Sequence, residues 1–85
     1  MPAVPGKKLT SVTILTGTGA SKSVQVGVYT ADGNAAVSGG AAKTLNAQGA
    51  EFTWTLTGTE VNTHYQLRVT SAHNAQLQTL TLIYE

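Results

Sequence analysis

The chain has 85 residues, of which 41% are hydrophobic and 11% charged, and it contains no cysteine. We therefore expect one domain with one core and no disulfide. Its formal net charge of +1 argues against binding to nucleic acid or to an anionic membrane surface.

Uncharged polar side chains replace the missing charges. Such a surface suits packing against other proteins, because buried charges lose their hydration. An ordinary soluble domain of Thr- and Ala-rich composition is the alternative. No apolar run reaches the roughly 20 residues of a membrane helix. Lys7 and Lys8 are not followed by a signal-peptide pattern, so we predict synthesis in a cytoplasm without a signal peptide.

Residues 1–6 read MPAVPG and predict an extended arm ahead of a domain over residues 7–85. The arm is either a disordered terminus or a segment that orders against a neighbouring molecule. In the second case Pro2, Val4 and Pro5 are candidate partner contacts.

The first predicted strand covers residues 8–16. Val12 and Ile14 point to one face, whereas Leu9 and Leu15 have the opposite parity. This pattern predicts either a β-bulge or two partly covered faces. A turn at residues 17–21 follows.

The second predicted strand covers residues 22–30 and places three valines, Val24, Val26 and Val28, in the core. Gly27 indicates a bulge or a close approach by another backbone. Residues 31–34 predict a tight turn, and residues 43–45 a short strand.

Residues 51–57 carry the strongest pattern in the chain. Three apolar residues, Phe52, Trp54 and Leu56, alternate with three threonines, Thr53, Thr55 and Thr57, as in a strand with one buried face. We predict that the apolar residues close the core. The flat, uncharged threonine face is a candidate partner contact.

The last two predicted strands cover residues 63–71 and 76–85, with a turn at residues 72–75 between them. Tyr65, Leu67 and Val69 point inward in the first. In the second, Leu80, Leu82 and Tyr84 share the core parity and Ile83 lies opposite. No segment shows a helical period.

These elements predict an all-β fold, a small antiparallel two-sheet β-sandwich of about six to seven strands, jelly-roll or immunoglobulin-like. A partly open β-barrel is the alternative, because the pattern of one sequence does not separate the two.

The residues that could carry chemistry are few and scattered. They are His64, His73, Asp32, Glu51, Glu60 and Glu85. Neither histidine neighbours a carboxylate in sequence, so no catalytic triad is predicted. The ligand set for zinc or calcium is missing too. We expect no enzyme activity, no catalytic residues, no metal and no cofactor.

Carbohydrate binding is the alternative function. Tyr29 is the aromatic residue expected to point outward, and Gln25 and Arg68 are expected near it. These three residues are the candidate glycan contacts of a carbohydrate-binding β-sandwich module, which could also serve host-surface binding from a virion.

Three stretches carry a resemblance to a known class. They are KLTSVTI at residues 8–14, VGVYTADG at residues 26–33 and YQLRVTS at residues 65–71. Their layout resembles small virion β-sandwiches, namely the capsid decoration (cement) proteins and tail-fibre modules of tailed bacteriophages. The resemblance implies a stand-alone protein that trimerises or docks on a capsid lattice, with a terminal arm reaching a neighbour. No functional residue can be assigned to this chain from the resemblance.

The sequence therefore predicts a non-enzymatic structural protein located in the virion and made in the host cytoplasm. Its expected partners are the major capsid protein or neighbouring copies, and a homo-oligomer, with a trimer favoured, is expected. A subunit of some other assembly is a third hypothesis.

Overall fold

Six β-strands and no helix make up the part of the chain that the structure, a computed structural model, describes: residues 1–18, 23–70 and 77–85. The strands are β1 (Leu9–Thr16), β2 (Val24–Tyr29), β3 (Lys43–Leu45), β4 (Glu51–Thr55), β5 (Gln66–Val69) and β6 (Leu77–Tyr84).

The strands form two antiparallel sheets of three strands each. One has the order β4-β1-β6 and the other β3-β2-β5. The sheets are not closed into a barrel. The predicted two-sheet β-sandwich is thereby confirmed, and the barrel alternative is wrong.

The core lies between the two sheets and is built from alternate residues of their central strands. Val12 and Ile14 of β1 and the three valines of β2 are at most 3% exposed. Trp54 is fully buried, and its Nε1 donates a hydrogen bond to the carbonyl oxygen of Ala41 at 2.9 Å. The indole can be buried because its one donor has a partner.

The parity conflict in β1 is resolved by a bulge. The pairing of β1 with β6 shifts register between Leu9 and Ser11, so Leu9 turns toward the core and is 1% exposed. Leu15 stays on the outer face and is half-buried. The bulge alternative is therefore confirmed for Leu9.

Gly27 lies where another segment crosses the sheet. A Cβ at this position would be 3.0 Å from the carbonyl oxygen of Gly40 and 3.1 Å from the nitrogen of Ala42. The predicted close approach of another backbone is confirmed.

The turn after β2 is held by Asp32. Thr30 Oγ1 donates to Asp32 Oδ1 at 2.6 Å, and the Asn34 N–H donates to the same oxygen at 3.0 Å. These bonds, the one from Thr30 first, hold the pKa of Asp32 below its usual value. Gly33 adopts a φ of +75°, as the predicted turn requires.

Two predicted inward residues are not covered. Val69 is 41% and Leu80 43% exposed, although each pairs with a buried residue. The expectation that both lie inside the core is wrong, because β5 and β6 are edge strands of their sheets. The predicted turns at 17–21 and 72–75 lie partly or wholly outside the described residues, and so does His73.

Candidate interaction surface

The sandwich has two sides, and one of them is closed by Lys43. Its Nζ donates to the carbonyl oxygen of Thr53 at 2.6 Å and lies 5.7 Å from the centre of the Trp54 ring. These contacts join the edge strand β3 to the edge strand β4. The other two edge strands, β5 and β6, therefore lie on the opposite side of the sandwich.

At the side of β5 and β6, core-facing side chains are exposed. Val69 pairs with Val26, Leu80 with Ile14, and Leu77 with Thr16. The three partners are at most 2% exposed, whereas Val69, Leu77 and Leu80 are 40–43% exposed. We call these three residues the open side. They sit at the margin of the sandwich, because β5 and β6 are edge strands of the two sheets.

The N-terminal arm lies across one end of this same side. The amino group of Met1 donates to the carbonyl oxygen of Tyr65 at 3.0 Å, and the Tyr65 N–H donates back at 3.2 Å. This exchange is that of one antiparallel strand pair. The Tyr84 hydroxyl donates to the carbonyl oxygen of Pro2 at 2.7 Å. Met1 thus contacts the residue before β5, Pro2 contacts β6, and the Met1 side chain packs against the core.

The arm residues predicted as partner contacts remain at the surface. Pro2 and Pro5 are exposed and Val4 is half-buried. Gly6 follows with a φ of +72°, and its N–H donates to Asn62 Oδ1 at 2.6 Å. The structure thus places the arm against its own domain, with both prolines facing out.

The three predicted threonine contacts are exposed, and two of them belong to a wider array. On the outer face of the β4-β1-β6 sheet, Thr53 pairs with Thr13 and Thr13 with Thr81. The Thr13 and Thr53 hydroxyls are 3.0 Å apart and hydrogen-bonded. We call this array the hydroxyl face; its members are Ser11, Thr13, Thr53, Thr55, Thr79 and Thr81.

Sequence reasoning missed the contribution of β1 to the hydroxyl face. Ser11 and Thr13 alternate with buried Val12 and Ile14, so the signal was present in the parity. Thr57 follows β4, and its N–H donates to the Ser38 carbonyl oxygen at 3.0 Å.

The candidate glycan contacts share the outer face of the other sheet. Gln25 and Tyr29 lie on β2, and Arg68 pairs with Gly27 between them. The Arg68 guanidinium carbon lies 5.7 Å from the centre of the Tyr29 ring, and its Nη1 donates to the Gly33 carbonyl oxygen at 2.7 Å. A Cβ at Gly27 would be 3.0 Å from Tyr29 Cε1. The ring of Tyr29 is thus half-buried between Gly27 and Arg68.

A shallow cleft of about 360 Å³ lies near the end of β2 and the segment before β5. Its polar lining includes Thr30, Ser38, Glu60, Thr63 and Tyr65. The Glu60 N–H donates to the Tyr65 hydroxyl at 2.8 Å. Glu60 is the one carboxylate among the lining residues, and no histidine or lysine is among them.

Within residues 1–18, 23–70 and 77–85, no three potential metal-ligating side chains cluster. His64, the histidine that the structure describes, is exposed. The same residues form no helix long and apolar enough to cross a membrane.

No protein-family model, curated protein or solved structure gives a significant match to this chain.

Proposed function

We propose that this protein is a non-enzymatic structural subunit that joins a larger assembly through protein–protein contacts. Decoration or cementing of a bacteriophage capsid is the specific form that the sequence resemblance favours. The observation that carries the proposal is the open side, where Val69, Leu77 and Leu80 face the core direction yet remain 40–43% exposed.

The open side supplies a driving force for association. Full burial of an aliphatic side chain contributes about 1.5–3 kcal/mol, so covering the exposed parts of three such residues contributes about 2–4 kcal/mol. Association itself costs about 4–15 kcal/mol in lost freedom. The open side therefore needs additional contacts, and backbone hydrogen bonds along β5 or β6 are the nearest source.

The hydroxyl face supports the proposal because it can pack against another protein without burying a charge. Thr53 and Thr55 of this face, together with Thr57 just beyond β4, offer small side chains that can donate or accept hydrogen bonds. The exposed Pro2 and Pro5 provide a further rigid contact surface on the N-terminal arm.

The main test uses native particles from the source. The chain should be present in a fixed ratio to the major shell protein, and added chain should bind to particles that lack it. Leu80→Lys places a charge on the open side and should lower binding at least about tenfold, as expected for a desolvated unpaired charge.

Val61→Lys is the matched control, because Val61 is 52% exposed and lies in a turn outside the strands. It should bind like the natural chain. Particles that contain no copy of the chain, or equal binding by both variants, would contradict the proposal.

Glycan binding is the second candidate, favoured by the shared face of Gln25, Tyr29 and Arg68. The position of the Tyr29 ring between Gly27 and Arg68 disfavours it, because a sugar stacks on a free ring face. A glycan array with a signal that Tyr29→Ala removes would establish this alternative. An array without signal would eliminate it.

A further inference from the structure

We propose that the free edge of β6 pairs with β6 of a second copy around a twofold axis, which joins two β4-β1-β6 sheets into one six-stranded sheet. This inference rests on the proposed function and names one partner of the open side, a second copy of the chain.

The edge of β4 is protected, in contrast to that of β6. The Lys43 ammonium group caps the carbonyl oxygen of Thr53. A Cβ at Gly39 would overlap the carbonyl oxygen of Thr55, so the segment around Gly39 lies directly on this edge. The edge of β5 begins with the pairing of Tyr65 to Met1. No described residue covers the backbone of β6 in these ways.

The hydrogen bonds of β1 to its two neighbouring strands show which way the backbone groups of β6 point. The Leu56 N–H donates to the Thr10 carbonyl, and the Thr16 N–H to the Ala50 carbonyl. Even-numbered residues of β1 thus bond to β4. The odd-numbered residues bond to β6, where their partners are Ile83, Thr81 and Thr79.

Leu80 and Leu82 therefore turn their backbone N–H and C=O groups away from β1. They form a row of donors and acceptors along the free edge, and no described residue bonds to them. Such a row is a template for another strand.

The side chains of β6 do not oppose pairing. The strand sequence LQTLTLIY contains no charged residue, no proline and no glycine over 8 residues. Natural edge strands commonly carry a lysine, a proline or a bulge that blocks edge-to-edge contact. The register shift within β6 lies at Gln78, between Leu77 and Thr79, so it is outside the segment from Leu80 to Leu82. The β6 strand of a second copy is equally uncharged and apolar, so the two strands can pair without burying a charge.

The register with the most apolar contact places Thr81 on the twofold axis. Leu80 then lies opposite Leu82 of the second copy, and this pair occurs twice. Because Leu80 and Leu82 would exchange the hydrogen bonds, Thr81 would form a non-hydrogen-bonded pair with a Cα–Cα distance of about 4.5 Å. The core-facing Leu77, Leu80 and Leu82 of both copies would form one strip.

The small area of the contact predicts a weak dimer. A strand of 8 residues is about 27 Å long, and the smallest extent of the molecule is 17 Å. A contact of these dimensions covers roughly 460 Å² of each copy, below the typical value of about 800 Å². Contacts of this size are typical of weak association, so we expect dimerisation to depend on protein concentration.

Disulfide trapping tests this register, since the natural chain has no cysteine. The pair distance at Thr81 fits a disulfide, so Thr81→Cys should cross-link to a dimer under mild oxidation. Thr55→Cys is the matched control, as Thr55 is also exposed on the same sheet face but lies on β4. Thr81→Cys should cross-link roughly tenfold faster or more, owing to the high effective concentration within the dimer. Leu80→Lys in the same chain should reduce its rate to that of the control.

Sedimentation equilibrium of the unmodified chain is the second measurement and should show a monomer–dimer equilibrium. Equal cross-linking of both cysteine variants, or a monomer at all concentrations, would overturn the dimer. A monomeric chain that still binds native particles overturns only the dimer. A cross-linked dimer that is absent from native particles overturns only the proposed function.

Discussion

Trp54 is the residue that ties the two sheets together. Its ring lies in the core, its Nε1 binds the Ala41 carbonyl at 2.9 Å, and the Lys43 ammonium group stands 5.7 Å from the ring centre. One side chain of β4 therefore contacts the segment that leads into β3.

Replacement of Trp54 should strongly lower the stability of the fold. Trp54→Ala is expected to lower the free energy of unfolding by about 3–5 kcal/mol, a large part of the stability of a domain of this size. Trp54→Phe keeps most of the packing but leaves the Ala41 carbonyl without its partner, with an expected loss of about 1–3 kcal/mol. Urea unfolding measures both values. A loss below about 1 kcal/mol for Trp54→Ala would contradict the burial of the indole.

Gly39 and Gly49 offer a matched pair at the residue scale. Both have positive φ angles, +84° and +59°, but a Cβ at Gly49 meets no atom within 4 Å, whereas at Gly39 it meets the Thr55 carbonyl oxygen. Gly49→Ala should cost about 1–2 kcal/mol for the left-handed conformation alone. Gly39→Ala should cost more, because the loop must leave the β4 edge. Equal losses in thermal unfolding would contradict this packing.

At the scale of the strand, the sequence indicated which face of its strand each side chain lies on. It did not indicate where each strand lies within its sheet. The short strand at residues 43–45 was predicted with the bounds it has, and Trp54 and the valines of β2 were placed correctly in the core. The strand order was not encoded in any local pattern. Leu80 and Val69 have core parity but sit on edge strands, so their exposure depends on what lies opposite.

The backbone direction in β6 can be tested with proline. Proline removes a backbone N–H; at Thr81 it removes a ladder bond to β1, whereas at Leu80 it removes only a donor on the free edge. Thr81→Pro should therefore destabilise the fold by about 1–3 kcal/mol more than Leu80→Pro. Equal stabilities in chemical unfolding would show that the assigned directions are wrong.

At the scale of the molecule, the sandwich is closed on one side and open on the other. Lys43 and the segment around Gly39 close the side of β3 and β4, and the N-terminal arm contacts the residue before β5 and, through Pro2, β6. The predicted arm at residues 1–6 was visible as a Pro- and Gly-containing stretch. Its pairing with Tyr65, 64 positions away in sequence, depends on the tertiary fold and leaves no local signal.

The candidate surfaces differ in whether the sequence predicted them. Thr53, Thr55 and Thr57 and the arm residues Pro2, Val4 and Pro5 were predicted as contacts from composition and alternation. The open side was not predicted, because it depends on which strands lie at the edges of the two sheets. It is the surface on which the exposed apolar area and the free backbone groups coincide, and it therefore carries the proposed assembly role.

Amide hydrogen exchange along β6 at low and high protein concentration tests this role most directly. Thr79, Thr81 and Ile83 bond to β1 and should exchange slowly at both concentrations, which provides an internal control. Leu80 and Leu82 should exchange rapidly in dilute solution and become protected as the concentration rises through the Kd of the dimer. Exchange of Leu80 and Leu82 that is independent of concentration would contradict the pairing of β6 with a second copy.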